Sequence, residues 1–209
     1  MNRGILGMMA GGVAVVLAAS AVHAVLVRSG AACPVLSPSS ADLVAQRIKA
    51  MGDLRGVVRA LSTDAFGFAL GVTSRASFVS AREGLGDQCE SELEGALVRC
   101  EGSEGELVAR FNPGGSLVGA DRMLYVEGLE SGAALFDRLA AADTARFGAP
   151  ERSWGDTSAA YLGEPLRQVG VAYRFVDVAV DLSATRMGAD KFAVREQVRS
   201  IPRVTGRGG

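Results

Sequence analysis

Apolar residues in this chain follow three kinds of spacing. The first is unbroken: from Ile5 to Val27, ILGMMAGGVAVVLAASAVHAVLV carries no charge. As a helix at 1.5 Å per residue it reaches about 34 Å, enough for a hydrocarbon layer ~30 Å thick. The second spacing is helical. In DLVAQRIKAM (42–51), Leu43, Val44, Arg47, Ile48 and Met51 fall near one face, with Ser40 or Asp42 as cap and Gly52-Asp53 as stop. A further helix is predicted from a hydroxyl cap in Gly71-Val72-Thr73-Ser74 to about Glu83. Gly84-Leu85-Gly86 closes it with glycines that tolerate positive φ. Another begins after Ser131, buries Leu135, Leu139, Ala142 and Phe147, and stops at Gly148-Ala149-Pro150.

The third spacing alternates. Strands are predicted over Gly95–Cys100, Glu106–Phe111 and Ser116–Val126, joined by EGSEG (101–105) and Asn112-Pro113-Gly114-Gly115. In the middle run Leu107, Ala109 and Phe111 share one face, and Val108 and Arg110 take the other, as in a half-buried antiparallel meander. Residues 54–70 are ambiguous, and Phe66–Leu70 reads as a short strand or an extended segment. Val169, Val171, Tyr173 and Phe175 alternate, and the phase then slips by one residue, so Val176-Asp177 is a bulge or a tight turn. Residues 191–201 fit a strand (Phe192, Val194, Val198) and a helix (Val194, Val198, Ile201) equally. Helix-then-strands thus occurs twice, over 73–126 and 131–200. The expected fold is α+β: a transmembrane or signal helix (1–28), a linker (29–41), then an extracytoplasmic domain (42–201). That domain is layered from two helix-plus-antiparallel-strand units, and a disordered tail (202–209) follows.

Charge sharpens the picture of the first segment. Residues 1–41 hold no Asp or Glu, and their basic residues are Arg3 and Arg28. Beyond residue 28 the chain has 20 Lys and Arg against 23 Asp and Glu, a formal −3. The near-equal flanks leave the positive-inside rule almost silent. The short tail before the span favours an inner-membrane signal anchor with the main domain outside, in the periplasm. Secretion after cleavage at Ala24, within Val22-His23-Ala24, stays open. Gly7 and Gly11 have the small-xxx-small spacing through which two such helices pack closely, which allows a homodimer.

Three cysteines carry the compartment argument. Outside the cytoplasm, Cys89 and Cys100 are expected to pair across ESELEGALVR, and closing so short a loop stabilises by roughly 3 kcal/mol. Cys33, followed by Pro34 in the linker, is left as a free thiol or an intermolecular bridge.

Candidate chemistry is sparse. His23 is the sole histidine and lies in the apolar leader, so neither a Ser-His-Asp triad nor a Cys-His pair is available to the domain. There is no phosphate loop; Lys49 and Lys191 stand in unrelated contexts. No metal site or cofactor is expected. Asp87, Glu90, Glu92, Glu94, Glu101, Glu104 and Glu106, relieved by Arg99, lack calcium-loop spacing and read as a solvated hairpin that guards a sheet edge. Asp177 and Asp181 read as turn or surface carboxylates, and Trp154 and Tyr161 as packing residues. Scattered arginines without interleaved aromatics argue against nucleic acid.

The stretch GVTSRASFVSAREGLG, followed by VRC and LVARFNPGGSLV, resembles the small exported modules of the BamE-like (SmpA/OmlA) outer-membrane assembly lipoproteins. Their pattern is Gly-x-Thr, helix, Leu-Gly, strand, then a strand with Phe-x-x-x-Gly-x-Leu. FDRLAAADTARFGAP echoes the helix and its stop. Gly30-Ala31-Ala32-Cys33 departs from that family's lipidation signal. The resemblance implies a non-catalytic scaffold that binds envelope proteins. The expected function is therefore a membrane-tethered extracytoplasmic binding or assembly domain, held in the membrane by residues 5–27. The alternative is a hydrolase or transferase using carboxylate chemistry that sequence does not reveal.

Overall fold

The computed structural model describes residues 39–103, 105–188 and 190–201. The expectations placed on residues 5–27 with Gly7 and Gly11, on Cys33, on Glu104 and on the tail 202–209 lie outside the described residues. The chain divides into two parts between Arg47 and Ile48. Helix α1 (Ser40–Asp53) spans that division and starts two residues inside the expected linker. Its cap is Ser39, not Ser40 or Asp42 alone. The Ser39 N–H and hydroxyl donate to Asp42 Oδ2 at 3.1 and 2.7 Å, and the Asp42 N–H returns to Ser39 Oγ at 3.1 Å. Two otherwise orphaned amides are satisfied reciprocally, and the bonds from Ser39 hold the Asp42 carboxyl below the usual carboxylate range.

Beyond α1, the strands β1 (Asp64–Ala65) and β2 (Phe68–Ala69) form a minimal hairpin. Helix α2 (Arg75–Glu83) follows, capped as expected by a hydroxyl: Ser74 Oγ accepts the Ser77 N–H. Gly86 takes φ +92°, whereas Gly84 stays right-handed at φ −63°, so a single glycine turns the chain away from the helix. The next four strands are β3 (Gln88–Glu92), β4 (Leu97–Gly102), β5 (Gly105–Phe111) and β6 (Leu117–Glu127). Then come α3 (Leu129–Phe147), β7 (Arg152–Trp154), the short α4 (Ala159–Leu162), β8 (Gln168–Arg174), β9 (Val178–Arg186) and β10 (Lys191–Ser200).

All eight strands from β3 onward form one antiparallel sheet in the order β3-β4-β5-β6-β10-β9-β8-β7. Two meanders, each preceded by a helix, join along β6 and β10, where Asp121 faces Gln197 in a long register. This establishes the expected α+β character and the large antiparallel sheet. The turn at Asn112 works as its composition suggests: the Asn112 side chain accepts the Ser116 N–H at 3.0 Å, and Gly115 takes φ +76°. Val176-Asp177 is a tight turn between β8 and β9, closed by the Phe175 N–H donating to the Val178 carbonyl at 2.8 Å. The slip in phase is thus a change of strand. Residues 191–200, ambiguous by period, form a strand because β6 and β9 pair with it on both sides.

One face of the sheet carries the helices. Beneath α2, Phe78 packs on Val98, Phe111 and Leu117, with the Phe68 ring 4.6 Å and the Phe111 ring 5.8 Å from its own. Under α3, Leu135 and Phe136 pack on Leu182, Phe192 and Val194. Full burial of each such side chain stabilises by roughly 1.5–3 kcal/mol. The buried stripe of α3 differs from expectation. Ala142 is exposed, and the stripe is Gly132, Leu135, Phe136, Asp143 and Phe147. The i+4 ladder from Leu135 through Leu139 and Asp143 to Phe147 puts a carboxyl where an alanine was expected.

On the opposite face, cross-strand ion pairs dominate. Asp121 Oδ2 receives Arg110 at 2.5 Å and Arg195 at 3.2 Å, and Asp181 receives Arg174 at 2.5 Å and Arg199 at 2.6 Å. Arg99 links Glu92 and Glu106.

Candidate functional site

The chemistry of this chain collects under the two helices, at positions where apolar parity is broken by a charge. On β10 the helix-facing positions are Phe192, Val194, Glu196 and Val198, and on β6 they are Ala120, Arg122, Leu124 and Val126. The register sets Glu196 directly opposite Arg122. Arg122 Nη2 donates to Glu196 Oε2 at 2.5 Å. Above them α3 lowers Asp143 onto the sheet. Asp143 and Glu196 are each only 4% exposed.

Burial is the largest influence on Asp143, followed by the negative charge of Glu196; together they push its carboxyl up to about 7, against the opposing pull of Arg146 and Arg122. The Glu196 carboxylate acts on Asp143 in the same direction as burial, disfavouring a second negative charge beside its own. The buried Asp143 Oδ2 has no donor among the described residues. The Asp143 carboxyl therefore titrates close to neutral pH. Tyr173, which hydrogen-bonds Thr144 at 3.0 Å and donates to the Ala140 carbonyl at 3.3 Å, is pushed up by burial as well.

A cavity of about 170 Å³ adjoins this cluster and is lined by Phe66, Arg82, Gly105, Glu106, Leu107 and Arg122. The Arg122 guanidinium lies 4.9 Å from the Phe66 ring centroid, so one arginine faces both the cavity and the buried Glu196 carboxylate. Neither Asp143 nor Glu196 is among the lining residues. Across the cavity Arg82 Nε donates to Asp87 Oδ2 at 2.6 Å, and both residues are buried. Asp87 is thereby removed from the solvated acidic group in which its sequence neighbours place it. Gly102 makes room for this pair: a Cβ there would stand 1.8 Å from Asp87 Oδ1.

Cys89 and Cys100 lie opposite each other in the β3–β4 register and are disulfide-bonded, with Cα atoms 4.1 Å apart. Both face the helix side, and Cys100 is fully buried in the cluster around Phe78. Glu90, Glu92, Glu94 and Glu101 are exposed, as a solvated edge hairpin requires, and Glu106 is ion-paired with Arg99. No group of three metal-ligating side chains occurs among the described residues.

Asp177 and Asp181 are not brought together. Asp177 accepts the Ala60 N–H at 3.1 Å at the β8–β9 turn, while Asp181 belongs to the ion pairs of the opposite face. Trp154 fits against Gly170, where a Cβ would come within 2.1 Å of the indole, and Tyr161 donates to the Gln168 carbonyl at 3.4 Å. Lys191 Nζ sits 4.9 Å from the Tyr125 ring centroid.

The Asp143–Glu196–Arg122 cluster and the Arg82–Asp87 pair were not anticipated. Their signal was present: Asp143 falls on the apolar i+4 ladder of its helix, Arg82 lies four residues after Phe78, and Glu196 shares the parity of Phe192, Val194 and Val198. Comparison with protein-family models, curated proteins and solved structures gives no match.

Proposed function

We propose that this protein is a membrane-tethered, extracytoplasmic binding or assembly domain of a bacterial-type cell envelope, with a non-catalytic role. The Cys89–Cys100 bridge carries the reading. A disulfide built across neighbouring strands and buried beneath a helix belongs to a protein that matures where thiols oxidise. The uncharged run Ile5–Val27 supplies the means of export and tethering. Among the described residues no helix is long and apolar enough to cross a membrane, so the tether is assigned to that run. The BamE-like resemblance is part of this proposal: Gly71-x-Thr73, α2, Leu85-Gly86 and Phe111-x-x-x-Gly115-x-Leu117 occur in that order around α2 and β3–β6.

The Asp143–Glu196 pair favours the alternative, a hydrolase or transferase working with carboxylates. Against it stands the separation of both carboxyls from the cavity that Arg122 lines. Protease added to spheroplasts tests the leading reading. Digestion of the domain, with Cys89 and Cys100 unreactive to thiol reagents until reduced, is the expected result. A protected domain with reactive thiols reverses the topology.

A further inference from the structure

Exposed aliphatic side chains are spread along one end of the strands. Val57, Val58 and Leu61 are 94%, 59% and 90% exposed, and Val72 and Leu93 are exposed as well. Hydrogen bonding places them. The Val176 N–H at the β8–β9 turn donates to the Val58 carbonyl, and the Gly56 N–H donates to Phe175 O. Gly71 and Thr73 bracket Leu117, the first residue of β6. Leu93 lies at the far edge strand β3, between the exposed Glu92 and Glu94, and stands apart from the segment around Val57 and Val58. The β6 start, the β9 start, and the ends of β3, β8 and β10 share this rim by register.

Within it, LRGVVRAL (54–61) interleaves its aliphatic residues with exposed Arg55 and Arg59 and contains no carboxylate. Ile201, whose N–H donates to the Asp177 carbonyl, lies at the same rim. Nothing in the core needs these aliphatics, and leaving them in water forgoes their transfer free energy.

We propose that residues 54–61 rest this rim on the surface of the membrane that holds residues 5–27, with Val57, Val58 and Leu61 at the acyl boundary and Arg55 and Arg59 among acidic headgroups. The inference rests on the tether proposed above. Aliphatic residues interleaved with arginines, exposed on a folded rim, have the chemistry of an interfacial contact. Residues 28–39, between that run and α1, are a length of chain that spans up to about 40 Å when extended.

Leu166, 92% exposed, provides the control, because it precedes β8 at the opposite end of the strands. Full-length Leu61→Trp and Leu166→Trp proteins are reconstituted in nanodiscs of phosphatidylcholine and phosphatidylglycerol with brominated acyl chains. The expected result is loss of the added emission for L61W, and none for L166W or for the native Trp154. In the same discs the double variant R55E/R59E is expected to weaken the L61W contact about fivefold or more per arginine. Unquenched L61W in a chain that resists carbonate extraction overturns this inference alone, including the case in which a protein partner covers the rim. Equal quenching of L61W and L166W overturns it too. Release of the full-length chain by carbonate removes the tether itself.

Discussion

At Asp143, burial and the neighbouring Glu196 lift the carboxyl to about 7, so the folded protein keeps a proton that the unfolded chain releases near the ordinary value of 3.8. The sign follows from linkage. A raised folded value contributes stability that is complete below about 4 and is lost as pH climbs to about 7. Asp143→Asn removes the ionisation and keeps an N–H donor for Glu196. D143N is therefore expected to be more stable than wild type at pH 8 by roughly 1–4 kcal/mol, with the gap closing toward pH 4.5. Urea unfolding at the two pH values measures this; a gap independent of pH would falsify the raised Asp143 carboxyl. The Arg82–Asp87 pair is a second buried contact between charged side-chain types. Asp87→Ala removes the buried carboxylate that receives the Arg82 Nε–H and is expected to cost about 1–3 kcal/mol in the same assay.

Elements differ in how openly their sequence declares them. Helix α2 is legible from its Ser74 cap and Gly86 exit, and β5 from strict alternation, because each depends on neighbours within a few residues. Strand β3 was hidden in an acidic run. Its polar sequence reflects an edge position that alternation of apolar residues cannot report. The expected Cys89–Cys100 pair held a clue, since its midpoint falls at Glu94-Gly95, where the hairpin turns. In α3 the helical period gave the stripe correctly at Leu135 and Phe147 and failed at Ala142, because a buried Asp143 looks polar to any hydropathy count. The helix also approaches the sheet at Gly132, where an added Cβ would lie 2.7 Å from the Phe192 ring. Gly132→Ala is thus expected to destabilise by about 1–3 kcal/mol despite its better helix propensity, seen as a lower urea midpoint.

For the molecule as a whole, the bridge fastens an edge strand to a sheet otherwise closed by long ladders between β4 and β10. Reduction is expected to cost roughly 3 kcal/mol of global stability. Hydrogen exchange should quicken in β3 well before β6 and β10, whose amides pair on both sides. Uniform loss of protection would show that the sheet depends on the bridge throughout. Sequence by itself determined what local chemistry dictates: the Ser74 cap, the turns at Asn112 and Gly148, the strand faces and the cysteine pairing. Only the tertiary structure decided that β6 lies beside β10 and that Asp143 meets Glu196 across 53 residues of chain. Such meetings depend on which strands share hydrogen bonds and which helix covers them, and a linear pattern carries the period of a segment without the identity of its neighbour.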